Sequence, residues 1–217
     1  MCIRDSNKRT TTFNNNEYLS TEIIFAIEVL VTLSTFTIPE NNKIVTINEA
    51  NIPREAISED LNLLPKMRSV NKIIKCSEKI VKDLPLILMS HAGPSGLGSN
   101  PNSICGKDWK EPSCDWGDRD LALAISEIQK KRKIDLVIFG HMHNRLKRNQ
   151  GFRKMFQIDK EGTAYLNSAI VPRYKTNTKG ELLVNFSWVE FIDNKLNHIS
   201  HRWYSELGEI CEEEILF

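Results

Sequence analysis

The 217-residue sequence has no excess of either charge, since 29 Lys and Arg stand against 28 Asp and Glu. A balanced charge gives no reason to expect nucleic acid or an anionic membrane as the main partner. The five cysteines are an odd number, and none forms a Cys-x-x-Cys pair. No signal-peptide pattern precedes them, so we expect free thiols in a reducing compartment and a cytoplasmic protein.

A long hydrophobic run is also missing. The most apolar segment, residues 21–38, contains Glu22 and Glu28 and is shorter than the roughly 20 apolar residues that a membrane span needs. We therefore expect a buried helix or strand there and no membrane partner. The composition, 41% hydrophobic and 26% charged, is typical of a globular protein with one sizeable core.

Local composition predicts three regions. Residues 1–20 are polar and without apolar periodicity, so we expect them to be disordered. Residues 21–66 have a mixed pattern that is broken by prolines and allows no assignment. Residues 67–217 have regular patterns and are predicted to form one domain.

Residues 67–217 are predicted to form an α/β fold with a mixed β-sheet flanked by helices. Apolar residues recur at helical spacing in two segments, first Val70, Ile73, Ile74, Ile80 and Val81, then Leu121, Ala124, Ile125 and Ile128. Asp118 or Asp120 is expected to cap the second helix. The apolar runs LPLILMSH and IDLVIF flank this helix and predict a parallel pair of buried strands. The tail, LLVNFSWVEFI–DNK–LNHISHRWY, predicts an antiparallel hairpin.

Three histidines follow the two predicted parallel strands. His91 comes directly after the first strand, and His141 and His143 follow the second in a Gly-His-x-His sequence. If the alternation of a strand continues, His141 and His143 point to the same side. Strand ends of an open α/β sheet are a usual place for a site, and neutral imidazole binds Zn, Fe and Mn well. We interpret His91, His141 and His143 as candidate metal ligands.

The segments SHAGPSGLGS, CGKDW, WGDRDLALAI, FGHMHNRL and YLNSAIVPR resemble the second half of the calcineurin-like metallophosphoesterases, most closely a branch found in cyanobacteria and plant plastids. The resemblance covers about residues 68–217. It implies a four-layer α/β/β/α sandwich, incomplete in this chain, that hydrolyses phosphomonoesters or phosphodiesters with two divalent ions of Mn, Fe or Zn. By the same resemblance His91 and His141 bind one ion, and His143 binds the other.

The family's earlier motifs have no counterpart in this sequence. Asp-x-His is absent, and the Gly-Asp of residues 117–118 comes after His91 with the wrong spacing. Asn197 and His198, the one Asn-His pair, lie in the predicted C-terminal hairpin. Two close dications repel each other strongly unless anionic ligands bridge them. We therefore expect this chain to be the C-terminal part of a longer enzyme, inactive alone, without the histidine that acts as general acid, and binding at most one metal weakly.

Further residues are weaker candidates for binding a phosphorylated substrate. Asn167 and Arg173 could line the pocket, Arg173 as a two-pronged phosphate donor. Lys107 lies in the long loop 92–117, and loops of that length are usually functional. The cluster RLKR at 145–148 could attract phosphate or a nucleic-acid backbone, although solvated charge is the simpler interpretation.

Two other classes of function stay open. The chain could be a non-catalytic remnant of the fold that binds a partner, which the missing motifs favour. A different metal hydrolase, of the amidohydrolase or metallo-β-lactamase type, is disfavoured because its His-x-His would precede the isolated histidine. His198 and His201 have no partners at ligand spacing, so no role is assigned to them.

Overall fold

The computed structural model describes residues 63–148 and 151–217. Predictions for residues 1–62, including the apolar segment 21–38, lie outside these ranges. Neither helix within them is long and apolar enough to cross a membrane. The elements are α1 (Leu63–Ser77), β1 (Ile87–Met89), α2 (Arg119–Gln129), β2 (Leu136–Phe139), β3 (Phe156–Ile158), β4 (Ala164–Asn167), β5 (Tyr174–Thr176), β6 (Leu182–Ile192), β7 (Lys195–Ser205) and β8 (Ile210–Ile215).

The first sheet has the strand order β1-β2-β4-β3. Strands β1, β2 and β4 are parallel, and β3 pairs antiparallel with β4. Both β2 and β4 are buried at every position, as expected for strands that are covered on both faces. The predicted parallel pair that flanks α2 is confirmed.

Two separate clusters of buried side chains cover the two faces of this sheet. On one face, α1 and α2 pack against β1 and β2 through side chains that include Val70, Ile125, Val137 and Phe139. On the other face, side chains of β2 and β4 pack against β6 and β7 of a second sheet. The described layers are therefore helices, sheet and sheet. The predicted α/β class with a mixed sheet is confirmed.

The second sheet has the order β5-β6-β7-β8 and is antiparallel throughout. Strand β6 alternates between buried and partly exposed residues over its interior, which is the pattern of a sheet with one face on the core. Asp193 and Asn194 form the turn into β7 with φ of 49° and 60°. Two successive positive φ values are those of a type I′ turn, whose twist suits a hairpin. The predicted C-terminal hairpin is confirmed.

Helix α1 differs from its prediction. It ends at Ser77, and the chain then continues in short turns, with Lys79 N donating to Cys76 O and Ile80 N donating to Ser77 O, each at 3.2 Å. Such i→i+3 bonds are a common way for a helix to end. Ile80 is still buried, but Val81 is 60% exposed, so its predicted place on the apolar face was wrong.

Helix α2 has its predicted cap in Asp118. The Asp118 carboxylate accepts hydrogen bonds from Asp120 N at 2.8 Å and Leu121 N at 3.3 Å. Replacing Asp118 with Ala removes these acceptors and is expected to lower the free energy of unfolding by about 1 kcal/mol. Urea denaturation measures this, and Glu127→Ala, at an exposed ion pair with Lys130, should change stability by less than about 0.5 kcal/mol. Equal losses in both variants would contradict the capping role.

Candidate metal centre

The loops that follow β1 and β2 are joined by backbone hydrogen bonds. Ser90 N donates to Ile138 O, and Gly140 N donates to His91 O, each at 3.0 Å. These bonds extend the pairing of two parallel strands past their carboxyl ends. The two segments that carry the candidate ligands therefore lie side by side.

His91 and His141 meet at this edge of the sheet. His91 Nε2 lies 3.0 Å from His141 Nδ1, and the ring centroids are 4.9 Å apart at an interplanar angle of 64°. Both side chains are exposed. Two imidazole nitrogens that each bind the same ion at about 2.0–2.1 Å lie about 2.9 Å apart at a right angle and about 3.3 Å apart at a tetrahedral angle. The observed spacing fits a shared ion, and it fits a direct hydrogen bond between the rings equally well.

His141 occupies a tight turn. Its φ is 66°, and Met142 N donates to Gly140 O across it at 2.7 Å. A positive φ with an i→i+2 bond is the signature of the classic γ-turn, which is rare and strained. Such strain is tolerated where the surroundings impose it, often at functional sites. The turn, rather than strand alternation, therefore sets the direction of His141.

The residues next to His141 differ in exposure and in the space around them. Met142 is buried, whereas His141 and His143 on either side of it are exposed. That the two histidine side chains point to the same side stays a prediction. A Cβ at Gly140 would have only ordinary contacts, 3.8 Å from Ala169 Cβ and 3.9 Å from His91 O. The structure therefore shows no steric need for glycine at this position.

Asn167, at the carboxyl end of β4, stabilises the turn at His141 through its side-chain amide. Its side-chain Nδ2 donates to Met142 O at 2.7 Å, and its Oδ1 accepts from Ala169 N at 3.0 Å. The residue is fully buried. Both ends of the amide are thus used inside the fold, where they position the Gly-His-x-His turn. A role of Asn167 in contacting substrate stays a prediction.

His143 follows the close pair on the other side of the buried Met142. Its carbonyl accepts from Arg153 Nε at 3.0 Å. His143 is exposed as a residue, but the removal of part of its ring from water lowers its pKa, and the charges of Lys147 and Arg153 act in the same direction. This favours the neutral imidazole that a metal requires. Within the described ranges there is no group of three or more His, Cys, Asp or Glu side chains able to hold a metal ion. The three-histidine site therefore stays a prediction, supported for the pair His91 and His141.

A buried ion pair that sequence reasoning missed holds the long loop against this site. Arg153 NH2 lies 3.0 Å from Asp108 Oδ1, and both side chains are at most 4% exposed. The other oxygen of Asp108 accepts from Lys147 N. Arg153 NH1 also donates to three loop carbonyls, those of Pro101, Ser103 and Gly106. No local motif marks this pair, because the two residues are 45 positions apart.

The remaining predicted substrate residues, Lys107 and Arg173, have contacts with other parts of the fold. Lys107 is half-buried, with its Nζ 5.7 Å from the ring centroid of Trp116. Arg173 is also half-buried, and its NH2 donates to Ser168 O at 3.2 Å. No contact shown by the described residues assigns either one to substrate, so both assignments stay predictions.

The pairs Gly117–Asp118 and Asn197–His198, which resemble family motifs at the wrong positions, have other roles in the structure. A Cβ at Gly117 would come within 2.2 Å of Pro94 O, so glycine is required by close backbone packing, and Asp118 is the cap of α2. His198 lies on β7, where its Nε2 is 3.1 Å from Glu213 Oε1. Neither pair is part of the histidine centre.

The calcineurin-like phosphoesterase family model matches residues 5–145, well over half of the chain. The chain therefore belongs to the calcineurin-like phosphoesterase family, as the resemblance indicated. The match begins upstream of the motifs recognised in the sequence and ends just after His143. It does not test the predicted domain boundaries, which stay predictions.

Two other comparisons add little. No curated protein matches the chain. Among solved structures, the crystal structure of a Vps29 single mutant from Entamoeba histolytica is similar with 13% sequence identity and a TM-score of 0.23, over 79% of this chain and 98% of that one. A TM-score this low supports no conclusion about fold or function.

Proposed function

We propose that this chain contributes the histidine half of a metal-dependent centre that hydrolyses phosphomonoesters or phosphodiesters. The observation that carries the proposal is the 3.0 Å separation of His91 Nε2 and His141 Nδ1 at the joined ends of β1 and β2. Membership of the calcineurin-like phosphoesterase family supports the reaction class. His91 and His141 would hold one divalent ion, Mn, Fe or Zn, and His143 would contribute to a second.

In this proposal, residues of the chain position the candidate metal ligands and do not themselves react with the substrate. The bond from Gly140 N to His91 O and the γ-turn at His141 hold the two rings together. A divalent ion in this position would polarise a phosphoryl oxygen of the substrate. The carboxylate motifs that accompany these histidines in the family are absent from the 217 residues, so we propose that activity belongs to a longer protein that carries them.

A non-catalytic role is the second candidate. It is favoured by the lack, in residues 63–148 and 151–217, of any group of three or more metal-binding side chains. In that case the chain would bind at most one ion, or none, and the fold would serve to bind a partner. We further infer a reducing compartment such as the cytoplasm, which is supported by the free thiols of Cys76, Cys105, Cys114 and Cys211.

Metal titration of the chain tests the histidine pair. We expect one Mn(II) or Zn(II) ion per chain in isothermal titration calorimetry. Replacing His91 or His141 with Ala should weaken binding by about 10–100-fold or more, since loss of a ligand costs at least as much as loss of its supporting contacts. His198→Ala is the matched control, because this histidine lies in the second sheet beside Glu213.

The hydrolytic part of the proposal needs a separate measurement. A longer protein that carries the carboxylate motifs should hydrolyse nitrophenyl phosphate with Mn(II), and the His91 and His141 variants should lose about 10–100-fold or more of that activity. Metal binding that is unchanged in both variants would refute the shared-ion site. Metal binding without any hydrolysis by the longer protein would favour the non-catalytic candidate.

A further inference from the structure

The segment that follows the histidines carries charge of one sign. Residues 141–154 contain five Lys or Arg and no Asp or Glu. Arg145 and Phe152 form an antiparallel bridge, and Leu146 N donates to Gly151 O at 3.3 Å. Residues 145–148 and 151–154 therefore lie beside each other directly after His143, and we call them the basic hairpin. The charges of Lys147 and Arg153 act on His143.

The long loop adds another cation to this surface. Asp108 accepts hydrogen bonds from Lys147 N and from Arg153 NH2, so the backbone next to Asp108, at Lys107, lies near the basic hairpin although the two segments are far apart in sequence. Lys154 N donates to Asn102 O at 2.9 Å and ties the hairpin to the same loop. We call Lys107, Arg145, Lys147 and Lys154 the basic surface.

The charges of the basic surface are not neutralised within the described part of the chain. None of its four cations forms an ion pair with a described carboxylate, whereas Lys131 and Lys175 pair with Glu78 and Glu212. Two acidic side chains of the long loop have other partners. Asp108 is buried against Arg153, and Asp115 accepts from the backbone N–H groups of Gly96 and Gly117.

An exposed aromatic ring lies within this surface. Phe152 is 66% exposed, and the guanidinium of Arg145 lies 6.0 Å from its ring centroid. The ring restricts where the guanidinium can go without removing its charge, because a cation over an aromatic face keeps its outer N–H donors. Arg145, two residues from His143, is thus held in place as a donor for an anion.

We propose that the basic surface is a second anion-binding site, which takes substrates bearing at least one phosphate group besides the one that is hydrolysed. This inference rests on the proposed function for the identity of the reacting group. A monoester with a single phosphate would engage the histidine centre and leave the cations of the basic surface unused. A ligand with further phosphates would contact both, since clustered cations of one sign attract polyanions and donate charge-assisted hydrogen bonds to them.

Binding of inorganic triphosphate, with orthophosphate for comparison, tests the site without any metal. Calorimetry in EDTA should show triphosphate binding at least about tenfold more tightly than orthophosphate, and weakening as salt rises from about 50 to about 200 mM. The double variant Arg145→Gln, Lys147→Gln should lose at least about tenfold in triphosphate affinity. Circular dichroism checks that this variant is folded.

The matched control removes two exposed cations at the other end of the sheet. Lys82 and Lys195 lie next to the contact of Asn194 Nδ2 with Asp83 O, and Lys82 precedes the start of β1. The double variant Lys82→Gln, Lys195→Gln should bind triphosphate as tightly as the parent protein does. An equal loss in the control, or triphosphate binding no tighter than orthophosphate, would overturn the second anion site.

These results are separable from the proposed function. Hydrolysis that depends on His91 and His141 but is accompanied by no preference for triphosphate would overturn the anion site alone. Triphosphate binding that depends on Arg145 and Lys147 would support the anion site even if hydrolysis were never observed.

Discussion

Replacing Arg153 with Met is expected to lower the free energy of unfolding by about 3–5 kcal/mol, the usual result of breaking a buried ion pair on one side. The substitution leaves the Asp108 carboxylate buried, with Lys147 N as its remaining partner among the described residues. It also removes the donor to His143 O and to three carbonyls of the long loop. For a domain of this size, the loss corresponds to a decrease in Tm of roughly 6–20 °C.

Two companion variants show whether the ion pair is the cause. Lys154→Met changes the exposed neighbour and should alter stability by less than about 0.5 kcal/mol. Arg153→Lys keeps the charge but not the planar fork that reaches several acceptors at once, so an intermediate loss is expected. Urea denaturation measures all three, and an Arg153→Met protein as stable as Lys154→Met would show that the buried pair does not anchor the loop.

Acid is expected to destabilise the protein through His201. This side chain is 1% exposed, and its Nδ1 lies 3.0 Å from Ser187 Oγ, while Nε2 has no hydrogen-bond partner among the described residues. Burial, with a smaller effect from the charge of Arg173, lowers the pKa of His201 from 6.5 to about 4. His201 is therefore protonated at a lower pH in the folded protein than in the unfolded chain.

The sign of the pH effect follows from that difference. The stability linked to neutral His201 is fully present above about pH 6.5 and is lost as pH falls toward 4, at up to about 1.4 kcal/mol per pH unit and about 3 kcal/mol in all. Urea denaturation at a series of pH values measures it. His201→Gln should lack this part of the decline, whereas His198→Gln should retain it because His201 is still present. If the stability of the His201→Gln variant fell equally with decreasing pH, the pH dependence would have to come from other titratable groups.

Much of the fold follows from local patterns in the sequence. The apolar runs that became β1 and β2, the stripe of α2 with its Asp118 cap, and the β6–β7 hairpin with its Asp193–Asn194 turn all depend on neighbours in sequence. Periodicity could not place the end of α1, because Ile80 is buried by the turns that follow the helix and continues an apparent helical stripe.

The candidate site was only partly accessible from sequence. His91 and His141 could be paired in advance because they follow adjacent parallel strands, and the ends of such strands lie at one edge of a sheet. The γ-turn at His141 and the use of Asn167 to support it required coordinates, since they depend on the exact path of the backbone. The Arg153–Asp108 ion pair could not be predicted from the sequence, because charged residues are common and a contact between residues far apart in the chain produces no periodic pattern.

The sequence by itself determined the α/β class, the strand-end position of the histidines and the resemblance to a phosphoesterase family, because these depend on residue type and on spacing along the chain. Only the tertiary structure decided that His91 Nε2 lies 3.0 Å from His141 Nδ1 and that a buried Arg–Asp pair holds the long loop. The physical reason is that contacts between distant residues arise from packing of whole layers, which leaves no local trace in the sequence.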